Sequence, residues 1–214
     1  GKISYETDDS SEDVVIEDLD EIKKKCDEEI ANMESYYRLY ESTFVNYGKR
    51  FRTIRKLWRS DNEVLARLEI EKTYYQESEA YVLYPGLLDG AFQSTIALGS
   101  LIDKENGVCN IPFKIEDIYI HDKIEKECYA HVKFSRDSCK EFGVKKYDIN
   151  ILNKYGRTLV ELRGILSRPI KKQNNDNGIQ TEKQGSLVAY KNVWKESTYK
   201  EKAIKNKSIV VFDI

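Results

Sequence analysis

An acid and an amide, Asp89 and Gln93, stand four residues apart in the run Tyr84-Pro85-Gly86-Leu87-Leu88-Asp89-Gly90-Ala91-Phe92-Gln93. Residues four apart share one face of a helix. Leu87, Leu88, Ala91, Phe92, Thr95, Ile96 and Leu98 fill most of the remaining circumference, so the spacing predicts a helix over 86–101 that is buried nearly all round. Burying an unpartnered carboxyl group costs several kcal/mol, so such a group pairs, hydrogen-bonds or stays protonated. A protonated Asp89 is a proton donor, and Gln93 one turn on can orient it. The competing reading is plain helix-start chemistry, with Pro85 in the first turn and an acid soon after it. Desolvation of a fully buried carboxyl reaches about 3–5 pKa units, whereas a helix N-terminus is worth about 0.3–1 kcal/mol, so a closed site favours the neutral acid.

The run resembles a motif of the dehydratase domains of modular polyketide synthases, His-Pro-x-x-x-Asp-x-x-x-Gln or His. Pro85, Asp89 and Gln93 match, and Tyr84 stands where the family usually has His. Tyr47-Gly48-Lys49-Arg50-Phe51 resembles the family's Tyr-Gly-Pro-x-Phe, with Lys49 in place of proline, and Ile111-Pro112-Phe113 resembles its Leu-Pro-Phe. The three motifs fall in the family's order, and the resemblance covers residues 19–169. It implies removal of water from a β-hydroxyacyl thioester carried on the phosphopantetheine arm of an acyl carrier protein, with no metal or diffusible cofactor. In that family a His on one hot-dog takes the α-proton and an Asp on a second hot-dog protonates the departing hydroxyl. The resemblance puts Asp89 in the acid position, with Gln93 as its partner and Tyr47 as a further hydrogen-bond donor. A core tyrosine with a satisfied hydroxyl is the other reading of Tyr47. Tyr84, Pro85, Gly48, Phe51, Pro112 and Phe113 are the implied substrate-binding residues.

The base is missing. The family's His-x-x-x-Gly-x-x-x-x-Pro motif occurs nowhere in the chain. His121 closes a strand beside Tyr119, and His131 shares the outward parity of Tyr129 and Lys133, so strand alternation puts both on the surface. Gly1-Lys2-Ile3-Ser4-Tyr5 resembles the closing strand of the family's first hot-dog. The expectation is therefore the second half of a double hot-dog, catalytically incomplete alone. The retained Asp89 favours dehydration, or cyclisation by a pyran-forming relative, over isomerisation. Tyr84 and Lys49 keep open a non-catalytic hot-dog that braces neighbouring domains or a dimer.

The elements that must position these residues follow from periodicity. Leu19, Ile22, Cys26, Ile30 and Met33 recur at helical spacing and predict one amphipathic helix over 17–33; a second, over 34–41, carries Tyr36, Tyr37, Leu39 and Tyr40. Two strand-like runs over 51–70 flank Ser60-Asp61-Asn62 and predict a hairpin. Four strand candidates follow, 113–121, 128–135, 144–152 and 158–167, the last two joined by Asn153-Lys154-Tyr155-Gly156. Strands with one apolar face around one apolar helix give an α+β class, an antiparallel sheet wrapped on a long central helix. That is the hot-dog fold, which the resemblance also implies. Gly86, Gly90, Ala91, Ala97 and Gly99 suit it, because a sheet wraps a helix closely only where side chains are short. The expected domains are 1–16, the end of a preceding hot-dog and linker; 17–170, the C-terminal hot-dog; 171–186, a polar linker; and 187–214, which resembles the start of a ketoreductase structural subdomain.

Charge is nearly balanced, 35 basic against 37 acidic residues, which argues against nucleic acid as the main partner. No apolar run is long enough to span a membrane and the acidic N-terminal stretch lacks signal-peptide layout, so the expectation is a cytoplasmic chain with no membrane partner. Cys26, Cys109, Cys128 and Cys139 are irregularly spaced with no Cys-x-x-Cys pair, which predicts free thiols and no zinc site, Cys128 being a small core residue. Arg50, Arg52, Arg55 and Lys56, within a basic run from Lys49 to Arg59, read either as a docking surface for an acidic carrier protein or as a strand edge guarded by charge. Beyond the carrier protein, the implied partners are the N-terminal hot-dog and a ketoreductase, with homodimerisation left open.

Overall fold

The first break from the expected pattern comes at Cys26. The structure, a computed structural model, describes residues 15–41, 46–98, 109–135 and 145–170. All of them lie in one of the chain's two units, Asp13–Gln173; the other unit, and with it the expected linker, the ketoreductase-like tail and most of the 1–16 junction, lies outside the described residues. The helix expected over 17–33 is in fact α1 (Leu19–Lys25), strand β1 (Glu28–Ile30) and the start of α2 (Met33–Glu41). Asp18 caps α1 by accepting from the backbone N–H groups of Asp20 and Glu21, and Lys23 to Lys25 close it with charge matched to the helix dipole. The apolar spacing runs on through Ile30, but Glu28, Glu29 and Ile30 pair antiparallel with Arg59, Trp58 and Leu57, so a ladder overrides the helical period there.

The hairpin is present as β2 (Ile54–Arg59) and β3 (Glu63–Glu69). The stretch expected as one strand over 113–121 is two, β4 (Cys109–Lys114) and β5 (Asp117–Ile120), both paired with the last strand. Then come β6 (Glu127–Phe134), β7 (Lys145–Leu152) and β8 (Thr158–Ile170). The sheet runs β1-β2-β3-β6-β7-β8-β4, with β5 also on β8, and every pairing is antiparallel.

Register sorts the two faces. Leu57, Ala66, Ala130, Ile151 and Val160 form one cross-strand row, fully buried on the inner face. The next row, Trp58, Leu65, His131, Asn150 and Glu161, lies on the outer face, where Ile22 of α1 and the cap residue Cys26 cover Leu65. Asn153 organises the β7–β8 turn by accepting from Tyr155 and Arg157 N–H, and Gly156 there has φ 81, a left-handed value that favours glycine.

The central helix, α4, spans Pro85–Ser94 and continues as a 3-10 turn, Thr95–Ala97. It is shorter than the expected 86–101, and residues beyond Leu98 lie outside the described set until Cys109. The Ser94 and Thr95 hydroxyls donate back to Gly90 O and Phe92 O where the α-helix ends, the local competition that disfavours these residues inside helices. Nor is α4 buried all round: Leu87, Gly90, Ala91 and Gln93 are buried, whereas Leu88, Asp89, Phe92 and Ile96 form a half-exposed stripe. Cys128 is a fully buried inner-face residue, and among the described residues no helix is long and apolar enough to cross a membrane.

Candidate functional site

The site is built where α4 meets the turn before β2. Tyr84 is the N-cap residue of α4 and Pro85 its first helical residue, and the first turn carries no acid. Asp89 is therefore not a helix-start acid; it sits a turn further in, on the half-exposed stripe between Leu88 and Phe92. Burial raises its carboxyl above the ordinary carboxylate value, and a hydrogen bond from Gln93 pulls partly against that rise.

Gln93 is itself buried. Its Nε2 donates to Asp89 Oδ2 at 2.7 Å and to Phe51 O at 3.0 Å, which fixes the amide's orientation because both neighbours accept. Phe51 ends the 3-10 turn Lys49–Phe51, so Gln93 fastens the tyrosine motif to the helix motif. Thr53, two residues on, donates to Gly86 O at 2.9 Å and seats the start of α4. The remaining Gln93 oxygen, Oε1, and the Tyr84 hydroxyl are buried without a hydrogen-bond partner among the described residues.

Tyr47 is half-buried, its ring edge-on to Tyr40 at 4.9 Å, and its backbone oxygen accepts from Arg52 Nε. Gly48 and Pro85 are exposed; Tyr84 is buried with its ring edge-on to Tyr81. Pro112 and Phe113 of the third motif lie on β4, at the opposite end of the strand order from β1, and Phe113 is exposed.

Four cations of the basic run stand in ion pairs. Arg50 meets Glu77 at 3.1 Å, Arg52 meets Glu34 at 3.3 Å, Lys56 meets Glu29 at 3.5 Å and Arg59 meets Glu28 at 2.8 Å, while Arg55 donates to Arg52 O. β1 covers only the Leu57–Arg59 end of β2, where Lys56 and Arg59 meet the β1 acids Glu29 and Glu28.

Two groups escaped the sequence reading. Tyr36 and Tyr40 of α2 are buried and both donate their hydroxyls to Gln93 O, at 2.9 and 2.5 Å. No local signal marks a contact that spans more than fifty residues. His131 is the second. The surface placement fails: it is 2 % exposed, held between the carboxylates of Glu17 at Nδ1 and Glu63 at Nε2, the latter at 2.8 Å. Parity had its face right, but the segment leading into α1 covers that face. Glu17 N–H donates to Gly156 O and Asn150 Nδ2 donates to the Glu17 carboxylate. His121, at 3.0 Å from Glu161, is exposed as expected.

Residues 16–177 match the family model described as polyketide synthase dehydratase N-terminal domain. The chain belongs to the polyketide synthase dehydratase family. Polyketide synthase PksL of Bacillus subtilis is 25% identical over 197 residues, 91% of this chain and 4% of that protein. The dehydratase domain from the CurJ module of the curacin polyketide synthase superposes with a TM-score of 0.65 at 25% identity, covering 73% of this chain and 55% of that one. A trans-AT dehydratase domain from Brevibacillus brevis gives a TM-score of 0.67 at 22% identity over 74% of this chain and 54% of that one, a likeness of fold. The antiparallel sheet around α4 is thus the hot-dog fold of these dehydratases. The chain spans about half the length of the solved domains and a small fraction of the synthase.

Proposed function

We propose that this dehydratase-family chain is the C-terminal hot-dog of a double hot-dog dehydratase, and that Asp89 is the acid which protonates the departing β-hydroxyl of a β-hydroxyacyl thioester. The family description speaks of an N-terminal domain; the C-terminal reading rests on the motifs, because the chain carries the Pro-x-x-x-Asp-x-x-x-Gln run and lacks the His motif that marks the first hot-dog. The observation that carries it is the Gln93 amide bridging Asp89 and Phe51, which joins two motifs far apart in sequence into one oriented carboxyl group.

In this reading the half-exposed stripe of α4 faces the substrate, and a His on the preceding hot-dog removes the α-proton. Asp89 delivers its proton to the hydroxyl, which leaves as water; Gln93 orients the carboxyl, and Tyr47 donates to the hydroxyl or thioester oxygen. Tyr84, Pro85, Gly48, Phe51, Pro112 and Phe113 line the acyl path. The substrate arrives on the phosphopantetheine arm of an acyl carrier protein, and the chemistry calls for no metal or diffusible cofactor. The preceding hot-dog and a following ketoreductase, begun over 187–214, are the neighbouring domains. The exposed Phe113, Ile118, Tyr119 and Ile120 along the β4 and β5 edge suit burial against another domain.

The deciding experiment is the mass of a β-hydroxyacyl carrier protein after incubation with this chain and with a version extended upstream by one hot-dog. Loss of water with the extended version alone supports a split active site. No loss with either favours the pyran-forming reading, which also keeps Asp89, or the bracing reading, which Tyr84 and Lys49 motivate.

A further inference from the structure

Tyr36, Tyr37 and Tyr40 project from one face of α2, and each ring is at least nine-tenths buried. A packing role would be met by phenylalanine, and a buried hydroxyl costs free energy unless it finds a partner. All three find one. Tyr37 Oη accepts from Ile54 N at 3.1 Å, a bond that serves the start of β2. The other two converge on the single carbonyl oxygen Gln93 O. Gln93 O lies in the last turn of α4, where the backbone N–H of the cap residue Thr95 also reaches it, and the two phenols add side-chain donors to that same oxygen. Burial holds the Tyr36 phenol well above its ordinary range, so it remains a donor throughout the working pH range.

We propose that Tyr36 and Tyr40 are positioning residues for the acid: by clamping Gln93 O they fix the peptide from which the Gln93 side chain reaches Asp89 and Phe51 together. The proposal rests on Asp89 as the acid for its meaning, but its geometry can be tested without turnover. The same ring cluster continues through Tyr40 to Tyr47, so α2 braces the proposed donor as well as the amide. With both hydroxyls gone, Gln93 O is left with neither phenol donor, the helix end loosens, and the amide bond to Asp89 weakens. That bond favours the carboxylate form, so its weakening moves Asp89 titration to higher pH.

The test is a carbon-13 carboxyl NMR titration of Asp89 in the full chain carrying Tyr36→Phe and Tyr40→Phe, with Tyr37→Phe as the matched control. The double variant is expected to raise the midpoint by about 0.5–1 unit, the size of a weakened hydrogen bond to a carboxylate. Tyr37→Phe is expected to lower stability and leave the midpoint in place. An unmoved midpoint in a folded double variant, or an equal shift in Tyr37→Phe, overturns the proposal. If the double variant fails to fold, the single variants each keep one donor and should show a smaller upward shift; no shift in either is equally fatal. In the protein extended by one hot-dog, the double variant should lower kcat with KM unchanged. Turnover retained by Asp89→Asn there would sink the acid assignment while leaving the NMR result to judge the clamp.

Discussion

Gln93 Nε2 lies 2.7 Å from Asp89 Oδ2 and donates to it, although burial raises the pKa of that carboxyl. The two influences oppose each other, and burial prevails. A carboxyl whose folded pKa is raised contributes stability that is fully present below its unfolded value, 3.8, and is lost as pH rises through the folded value. Asp89→Asn keeps an acceptor for Gln93 and removes the buried charge. It should therefore raise the melting temperature at neutral pH, leave it unchanged near about pH 3, and abolish turnover of the extended protein. Equal melting temperatures at neutral pH would show that Asp89 is already solvated in the fold.

Gln93→Leu should behave differently. Removing the amide leaves Phe51 O and Asp89 without this donor, and an orphaned buried acceptor costs about 1–3 kcal/mol. Urea unfolding is expected to show a loss of that size, together with an upward shift of the Asp89 midpoint. A Leu variant as stable as the parent would mean that solvent replaces the amide.

These two residues were legible in the sequence because a helix places positions four apart on one face, and the hot-dog class because strand parity and turn residues are local. What covers a face is not local. His131 shares the outward parity of Tyr129 and Lys133, yet Glu17, more than a hundred residues earlier, closes over it. The helix expected over 17–33 failed for a related reason: Ile30 fits a helical repeat equally well when it sits on a strand against Leu57. Tyr36 and Tyr40 were visible as tyrosines, but their common acceptor was not.

The glycines of α4 make a separate prediction. A Cβ on Gly86 would sit 2.5 Å from Arg50 O, a backbone atom, and one on Gly90 would sit 2.2 Å from Thr53 Oγ1. Alanine normally favours a helix over glycine by roughly 1 kcal/mol. Here overpacking should dominate, with a net loss of about 1–3 kcal/mol in chemical denaturation, larger for Gly86 because a main-chain oxygen cannot rotate aside. A stabilised Gly86→Ala would show that the turn at Lys49–Phe51 yields.

Reversing Arg52 and Lys56 to Glu tests the use of the basic run. Each would face an acid it now pairs with, Glu34 or Glu29. These pairs are substantially exposed, so the expected loss is at most about 1 kcal/mol each. Carrier-protein affinity should stay unchanged in a binding titration if the run serves these internal pairs; a tenfold loss of affinity would support the docking role.

The Glu17–His131 contact sets the acid limb of stability. Burial alone would raise the Glu17 carboxyl, but the hydrogen bond and charge of His131, the Asn150 amide and Lys133 outweigh it and hold the pKa at about 2, against an ordinary 4.5. A depressed folded pKa contributes stability that is present above the unfolded value and is lost as pH falls through the folded one. The window is therefore from 4.5 down to about 2. Glu17→Gln should cost on the order of 2 kcal/mol at neutral pH, after allowance for solvent screening, and the gap from the parent should close as pH falls through that window. His131→Leu should cost more, about 3–5 kcal/mol, because it strands the Glu17 carboxylate under the segment that leads into α1. Denaturant unfolding of the three proteins across the window measures both effects. A gap between parent and Glu17→Gln that stays constant down to the lowest pH would mean that the contact contributes packing rather than charge.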